Sequence, residues 1–156
     1  MNDLFDLAGR VAVVTGGSRG LGKEMALALT EAGADLMIAA RTAEDLEAAA
    51  AEIAQATWRK VIPAALDVAD PKAATAAVDR AVDELGRIDI LVNSAGINVR
   101  SPVGQISDED FQRIQQVNVT GTFNFCRAAA RHMTSAGFGR IINIGSALSF
   151  VGLAGR

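Results

Sequence analysis

Short apolar runs alternate with longer amphipathic segments along this chain of 156 residues. The apolar runs are typical of β-strands, and they lie at residues 11–15, 36–40, 60–66, 88–92 and 140–144. They are continuously apolar rather than alternating in polarity, so we expect helices to cover both faces of their sheet.

Helix start and stop signals occupy the segments between these runs. They are Gly33 after a helix over 20–32, Thr42 with Asp45 as a capping box, Asp70-Pro71 and Gly86 around a third helix, and Ser107 before a long helix to about residue 135. Repeated strand–helix–strand crossovers predict an α/β fold, a doubly wound parallel sheet of Rossmann-like type with five strands in this chain. Pro63 in the third run favours a position near a sheet edge.

The long helix carries one stripe at spacings of three and four that is predicted to face the sheet. Its members are Phe111, Ile114, Asn118, Gly121, Phe125 and Ala128. Asn118 is polar, so at such a position it needs hydrogen-bond partners. Further apolar residues lie off the stripe: Val117, Val119, Phe123 and Met133. They indicate either a second face that meets a partner subunit or cover by neighbouring helices of the same chain.

Composition and charge exclude several function classes. Half of the residues are hydrophobic, 21% are charged and the net charge is −3, which favours a folded chain without a nucleic-acid surface. No apolar run is as long as a membrane span and the first residues lack a basic leader, so we expect a cytoplasmic protein without a membrane partner. With Cys126 and His132 as the only cysteine and histidine, neither a disulfide nor a metal site is predicted.

A glycine-rich segment joins the first predicted strand to the first predicted helix. Residues 15–22 read Thr-Gly-Gly-Ser-Arg-Gly-Leu-Gly, with Gly16, Gly20 and Gly22 in a G-x-x-x-G-x-G pattern. Glycines let the backbone approach a pyrophosphate closely, and the N-terminus of the following helix attracts negative charge. By itself this pattern is equally consistent with a tight turn that binds no ligand.

Small and polar residues follow other predicted strands at their carboxyl ends, where open α/β sheets bind ligands. Asp67-Val68 follow the third strand, Asn-Ser-Ala-Gly at 93–96 the fourth, and Gly145-Ser146 the fifth, while the long helix carries Asn-Val-Thr-Gly at 118–121. Together with the glycine turn, this set resembles the short-chain dehydrogenase/reductase family over residues 7–156.

The resemblance implies reversible hydride transfer between a nicotinamide cofactor and a small-molecule carbonyl or secondary alcohol, by a homodimer or homotetramer. The implied cofactor-binding residues are Gly16, Ser18, Arg19, Gly20, Leu21, Gly22, Asp67, Val68, Asn93, Ala95 and Gly96. It further implies that Asp67 hydrogen-bonds the adenine, that Asn118 holds a water of the proton relay and that Ser146 polarises the substrate oxygen. From the residues alone, Asn118 is equally a structural asparagine, and Ser146 is a serine in a turn after a strand.

The end of the second strand bears on cofactor choice. A carboxylate there binds the ribose of NAD and repels a 2′-phosphate, but this chain has Ala40 followed by Arg41. Arg41 and Arg19 can clamp a phosphate with charge-assisted hydrogen bonds, which predicts that NADP(H) is preferred over NAD(H). The alternative is that both arginines are solvated, one of them paired with Glu44 or Asp45.

The family's catalytic Tyr-x-x-x-Lys pair is absent, since the chain has no tyrosine and the family spacing from Ser146 carries that motif just beyond Arg156. We therefore expect residues 1–156 to be one dinucleotide-binding domain cut at its C-terminal side, with the last strands missing. As written, such a chain is expected to be inactive, and a non-catalytic nucleotide-binding module is the alternative. Residues 97–103 resemble a loop of sugar-acid dehydrogenases such as gluconate 5-dehydrogenases, and more loosely of 3-oxoacyl-carrier-protein reductases, so the substrate stays open.

Overall fold

A computed structural model describes residues 3–152, and a five-stranded parallel sheet organises them. Its strands are β1 (Val11–Thr15), β2 (Asp35–Ala40), β3 (Val61–Ala65), β4 (Ile90–Asn93) and β5 (Arg140–Asn143), in the spatial order β3-β2-β1-β4-β5. The predicted doubly wound parallel sheet is confirmed. Because β3 is an edge strand, it tolerates Pro63, which has no backbone N–H to donate.

Five α-helices connect the strands: α1 (Gly20–Glu31), α2 (Ala43–Thr57), α3 (Pro71–Leu85), α4 (Asp108–Gln115) and α5 (Thr122–Ala136). Short 3₁₀ turns lie at Asp3–Phe5, Val103–Gln105 and Ala147–Ser149. The last of these follows β5, and residues 153–156 lie outside the described part. Within residues 3–152, no helix is both long and apolar enough to cross a membrane.

The predicted caps are confirmed at four helix ends, including Gly33 after α1 with φ 107°, and the predicted capping box at Thr42 is wrong. Asp70 accepts hydrogen bonds from the N–H groups of Lys72 and Ala73, Ser107 caps α4, and Gly86 ends α3 in the left-handed region with φ 88°. Thr42 occupies the cap position of α2, but its side chain makes no capping hydrogen bond. Acidic side chains in the first turn still complement the dipole of α2, so the capping-box chemistry is not required there.

Helices pack on both faces of the sheet, as the continuously apolar strands predict. Successive residues of β1 point to opposite faces: Val13 packs in the core formed with α3 and α5, whereas Val14 packs in the core formed with α1 and α2. The inner face of α2 is buried at Leu46, Ala49, Ala50 and Ile53. These two apolar layers hold the carboxyl ends of the strands in fixed positions.

The predicted long helix is interrupted by a six-residue π-helical segment, Gln116–Gly121, between α4 and α5. A π turn holds more residues than an α turn, so the segment rotates the buried face relative to a regular helix. Val117 is therefore buried and Asn118 is exposed, and the predicted sheet-facing position of Asn118 is wrong. Phe111, before the segment, is also exposed, while Gly121, Phe125 and Ala128 are buried as predicted.

The apolar residues off the predicted stripe divide into two groups. Val117 and Met133 are buried in the core of the chain itself, so for them the idea of a second, partner-facing side is wrong. Val119 and Phe123 are 57% and 56% exposed. Of these four residues, Val119 and Phe123 therefore form the uncovered apolar face.

A buried carboxylate lies at the opposite end of the sheet from the carboxyl ends of the strands. Asp89 accepts hydrogen bonds from Arg10 at 3.0 Å, from Arg87 at 2.7 Å and from the Val11 N–H at 3.0 Å. Burial by itself raises the pKa of Asp89, but these donors together outweigh it and hold the pKa below its usual value. The ionised carboxylate therefore ties β1 to the start of β4.

Candidate functional site

One cleft opens at the carboxyl ends of the strands and has a volume of about 520 Å³. It lies where β1 and β4 adjoin and the chain turns from one half of the sheet to the other, the usual ligand position in such sheets. The cleft brings together most of the predicted site residues: Gly16, Ser18, Arg19, Gly20, Leu21, Gly22, Arg41, Asp67, Val68, Ala95 and Gly96.

The glycine turn forms the floor of this cleft. Gly16 has φ 70°, and a Cβ atom there would lie 2.9 Å from the Ala95 nitrogen. A Cβ on Gly22 would collide with the carbonyl of Gly16. A side chain at Gly16 would push the turn away from the loop after β4, and one at Gly22 would push α1 away from the turn. The shallow backbone surface of the cleft therefore depends on glycine at both positions.

The first turn of α1 points its free N–H groups at the same cleft. Arg19, the residue before α1, is extended and makes no side-chain capping hydrogen bond, and the first turn holds no acidic residue. N–H groups at a helix N-terminus need acceptors, and phosphate oxygens supply them. The turn and the helix start together therefore fit the pyrophosphate of a dinucleotide.

Thr15 joins the glycine turn to the loop after β4. Its Oγ1 accepts hydrogen bonds from the N–H groups of Ser94 and Ala95, both at 3.1 Å, and the residue is 2% exposed. The sequence analysis did not identify Thr15 as a site residue. The signal that could have identified it is a hydroxyl side chain at the end of an otherwise apolar strand. Thr15 holds the backbone of residues 94–95 at the wall of the cleft.

The turn after β3 forms another wall. Asp67 Oδ1 accepts a hydrogen bond from the Ala69 N–H at 2.9 Å. From the opposite side, Asn124 Nδ2 donates to the carbonyls of Val68 and Ala69 at 3.1 and 3.2 Å. Asn124 is 3% exposed and was not among the sequence-based candidates, although a polar residue between Phe123 and Phe125 was a visible signal.

Asn118 lies beside the cleft rather than in its lining. Its side chain is paired with the backbone of Ile97, which does line the cleft. The Asn118 carbonyl accepts a hydrogen bond from the Thr122 hydroxyl at 2.9 Å. Asn118 therefore has the structural role that the sequence left open as an alternative, because its amide bonds the backbone of a neighbouring loop.

Ser146 and Asn93 also lie outside the lining of the cleft. Ser146 follows β5 two residues after the cleft residue Ile144, is exposed, and accepts a hydrogen bond on Oγ from the Leu148 N–H at 3.1 Å. Asn93 is 4% exposed, and its Nδ2 donates to Asn143 Oδ1 at 2.9 Å. Its amide thus ties β4 to β5 and does not line the cleft.

Two exposed arginines line the cleft beside the end of β2. Arg19 and Arg41 belong to the lining together with Ala40 and Asp45. Among residues 3–152, Arg41 forms no ion pair with Glu44 or Asp45. The alternative in which one of these acids pairs with Arg41 is therefore not what the structure contains, although Asp45 adds a negative charge to the same cleft.

Comparisons with known proteins agree with this arrangement. The sequence model of the family described as short chain dehydrogenase matches residues 10–156. The gluconate 5-dehydrogenase of Gluconobacter oxydans (strain 621H) is 40% identical over 147 residues, which are 94% of this chain and 57% of that protein. The chain thus spans little more than half the length of this curated relative.

Two solved dehydrogenase structures also superpose closely on this chain. A short-chain type dehydrogenase/reductase from Mycobacterium marinum superposes with a TM-score of 0.93 at 42% identity, covering 97% of this chain and 62% of that one. A xylitol dehydrogenase solved with NAD+ bound superposes with a TM-score of 0.91 at 32% identity, covering 94% of this chain and 56% of that one.

Proposed function

Because the chain belongs to the short-chain dehydrogenase family, we propose that the full-length protein is an oxidoreductase that interconverts a small-molecule carbonyl and a secondary alcohol with NADP(H). The full-length protein is the product of the whole reading frame that encodes this chain. The observation that carries the proposal is that one cleft combines the glycine turn, the start of α1 and the backbone of Ala95 and Gly96. We propose residues 1–156 as its dinucleotide-binding domain.

The residues of the cleft divide the work of holding the cofactor. Gly16, Gly22 and the first N–H groups of α1 would hold the pyrophosphate, and Asp67 with Val68 would hold the adenine. Once bound, the nicotinamide supplies or accepts the hydride. The protein contributes orientation, through the glycine turn and through the wall that Thr15 holds at residues 94–95.

Preference for NADP(H) rests on the charges at the ribose end of the cleft. Arg19 and Arg41 line it, and Ala40 stands where NAD-binding sheets carry an acid. Guanidinium groups bind a 2′-phosphate by bidentate, charge-assisted hydrogen bonds. Asp45 opposes them, but its single charge is outnumbered by the two cations.

Ser146 is the proposed catalytic hydroxyl. Its oxygen already accepts the Leu148 N–H, which orients the side chain and leaves the O–H proton available to donate. A donor of this kind polarises a carbonyl oxygen as hydride arrives at the carbon. For Asn118 we propose that the backbone carbonyl, rather than the side chain, holds the relay water, because both ends of the amide are bonded to Ile97.

The remaining proposals concern the full-length protein. We propose that Tyr-x-x-x-Lys and the last strands follow residue 156, and that residues 1–156 alone bind nucleotide without turnover. The exposed face of Val119 and Phe123 supports a homodimer or homotetramer that packs through this helix. A cytoplasmic location stays a prediction.

The test is made on the full-length protein, after its sequence beyond residue 156 has been read for Tyr-x-x-x-Lys. Oxidation of NADPH and of NADH is followed at 340 nm with a panel of ketoses, keto-acids and simple ketones. We expect turnover with at least one carbonyl and a lower KM for NADPH than for NADH. Binding of nicotinamide cofactor without turnover, and without the Tyr-x-x-x-Lys motif, would favour the non-catalytic module, whereas no binding of either cofactor would reject the proposal.

A further inference from the structure

The helix behind the cleft makes a direct polar connection to the turn after β3. Asn124 of α5 is buried, and its Nδ2 donates to two consecutive carbonyls, those of Val68 and Ala69. A carbonyl can only accept, so both of these bonds require the amide nitrogen to face the turn. Arg127 Nη2 contacts Asn124 Oδ1 at 3.4 Å, which is consistent with the same orientation of the amide.

A second contact supports the same turn from the last residue of the π-helical segment, directly before α5. Gly121 is buried, and a Cβ atom at this position would lie 2.6 Å from Cγ2 and 3.0 Å from Cβ of Val68. Its φ of −60° is ordinary for any residue, so the backbone conformation does not require glycine here. The requirement is space: the helix must come this close for Asn124 to reach the carbonyls.

The supported turn forms one wall of the cleft and carries Asp67 and Val68 into its lining. Inside the turn, Asp67 Oδ1 holds the Ala69 N–H. The carboxylate of Asp67 thus fixes the turn by a hydrogen bond inside it, and the amide of Asn124 fixes it by hydrogen bonds from α5. Val68 is 6% exposed. A shift of the turn would move the wall that Asp67 and Val68 form.

We propose that Asn124, with Gly121 as the spacer that admits it, is a positioning residue for the adenosine half of the cofactor cleft. This inference rests on the proposed function, because it presupposes that the cleft binds a nicotinamide dinucleotide. Asn124 touches no cofactor atom in this role; it fixes the turn that does. Loss of the amide is expected to weaken recognition of the adenosine half and to leave the nicotinamide half unaffected.

The test uses the full-length protein and its Asn124→Leu variant, which keeps the volume of the side chain and removes both donors. Dissociation constants are measured for NADPH and for ADP-ribose, and kcat/KM is measured for reduced nicotinamide mononucleotide, which lacks the adenosine half. We expect NADPH and ADP-ribose to bind about ten-fold more weakly to the variant. The value of kcat at saturating NADPH and the kcat/KM for the mononucleotide should stay unchanged.

Two further variants separate positioning from general loss of stability. Met133→Ala removes a buried side chain of the same helix that packs beside Gly139, far along α5 from the turn, and should lower the melting temperature without changing any of the binding ratios. Gly121→Ala suits helix geometry but crowds Val68, and should reproduce the selective loss seen in Asn124→Leu, including where Asn124→Leu fails to fold.

The outcomes distinguish the two proposals. A parent protein that binds neither NADPH nor ADP-ribose rejects the proposed function. A parent that binds both, with variants at positions 124 and 121 that bind them equally well, rejects the positioning role. Equal weakening of ADP-ribose binding and of mononucleotide turnover also rejects it, because that pattern is a structural loss and not an adenosine-specific one.

Discussion

Asn118 and Ile97 are joined by a pair of hydrogen bonds: Asn118 Oδ1 accepts from the Ile97 N–H, and Asn118 Nδ2 donates to the Ile97 carbonyl, each at 2.9 Å. The amide thereby imitates the edge of a neighbouring strand and satisfies both backbone groups of Ile97. Because Ile97 lines the cleft, the π-helical segment that carries Asn118 fixes the loop after β4. Such segments occur frequently at functional sites.

Cofactor preference should depend on Arg41. Replacing Arg41 with Asp removes a cation and introduces the acid that binds the ribose hydroxyls of NAD, so we expect NADPH affinity to fall about 100-fold, the scale of a lost charged pair. NADH affinity should rise relative to NADPH. Nicotinamide fluorescence titration measures both. Arg80→Asp makes the same charge change on α3, outside the cleft lining, and should alter neither affinity; equal affinities in the unmodified protein would contradict the argument.

Catalysis should depend on the hydroxyl of Ser146. Ser146→Ala removes a donor to the substrate oxygen, and we expect kcat to fall by about 100-fold or more while the dissociation constant for NADPH changes less than two-fold. Steady-state kinetics and cofactor titration on the full-length protein give the two values. Ser135→Ala, at an exposed position near the end of α5, is the matched control. An unchanged kcat in Ser146→Ala would show that the role is wrongly assigned.

Assembly should depend on Phe123. The side chain is 56% exposed, and the guanidinium of Arg127 lies 5.0 Å from its ring centroid. If this face meets a second subunit, Phe123→Ser removes apolar contact area on both sides of the interface and should shift the full-length protein toward monomer in light scattering. Phe5→Ser changes another exposed ring, near the N-terminus, and should leave the mass unchanged. A parent that is already monomeric would reject the interface.

The ion cluster of Asp89 should make stability depend on pH. Because its folded-state pKa is lowered, Asp89 stabilises the fold above the pKa of the unfolded chain, near 4, and this contribution is lost as pH falls through the folded-state pKa. We expect Asp89→Asn to lower the free energy of unfolding by about 2 kcal/mol at pH 7. Denaturant unfolding should show the difference from the parent shrinking below about pH 4.

The control for this pH effect is Asp83→Asn, since Asp83 is an exposed carboxylate on α3. This variant should differ from the parent by less than about 0.5 kcal/mol at every pH. A constant difference between Asp89→Asn and the parent from pH 7 down to pH 3 would mean that the carboxylate contributes through packing and not through its charge.

Replacing Trp58 with glycine should stabilise the fold, because it relieves backbone strain at this position. This residue ends α2 in the left-handed region with φ 57°, and it is 90% exposed, so its ring contributes little packing. Trp58→Gly should raise the free energy of unfolding by about 1 kcal/mol. Gly86→Ala is the reciprocal control, because Gly86 ends α3 with φ 88° and a side chain there should lower stability by a similar amount. Both changes are read from melting temperatures.

The order of strands and helices could be predicted from the sequence because each signal is local. Apolar runs marked the five strands, and the glycine turn, Asp70, Ser107 and Gly86 marked helix ends through hydrogen bonds or dihedral angles within a few residues. The position of the cleft could be predicted from the same local signals. In a parallel sheet, all strand carboxyl ends meet at one edge, so the residues that follow the strands had to come together there.

Tertiary structure alone decided which asparagine of the π-helical segment and α5 is buried, and which groups each one bonds. The stripe through Asn118 assumed a regular helix, but the π turn rotates that residue out of the core and onto Ile97. The buried amide on this helix is instead Asn124, whose partners lie more than fifty residues away in sequence. No local pattern specifies a bond across that separation, because it exists only once α5 has packed against the turn after β3.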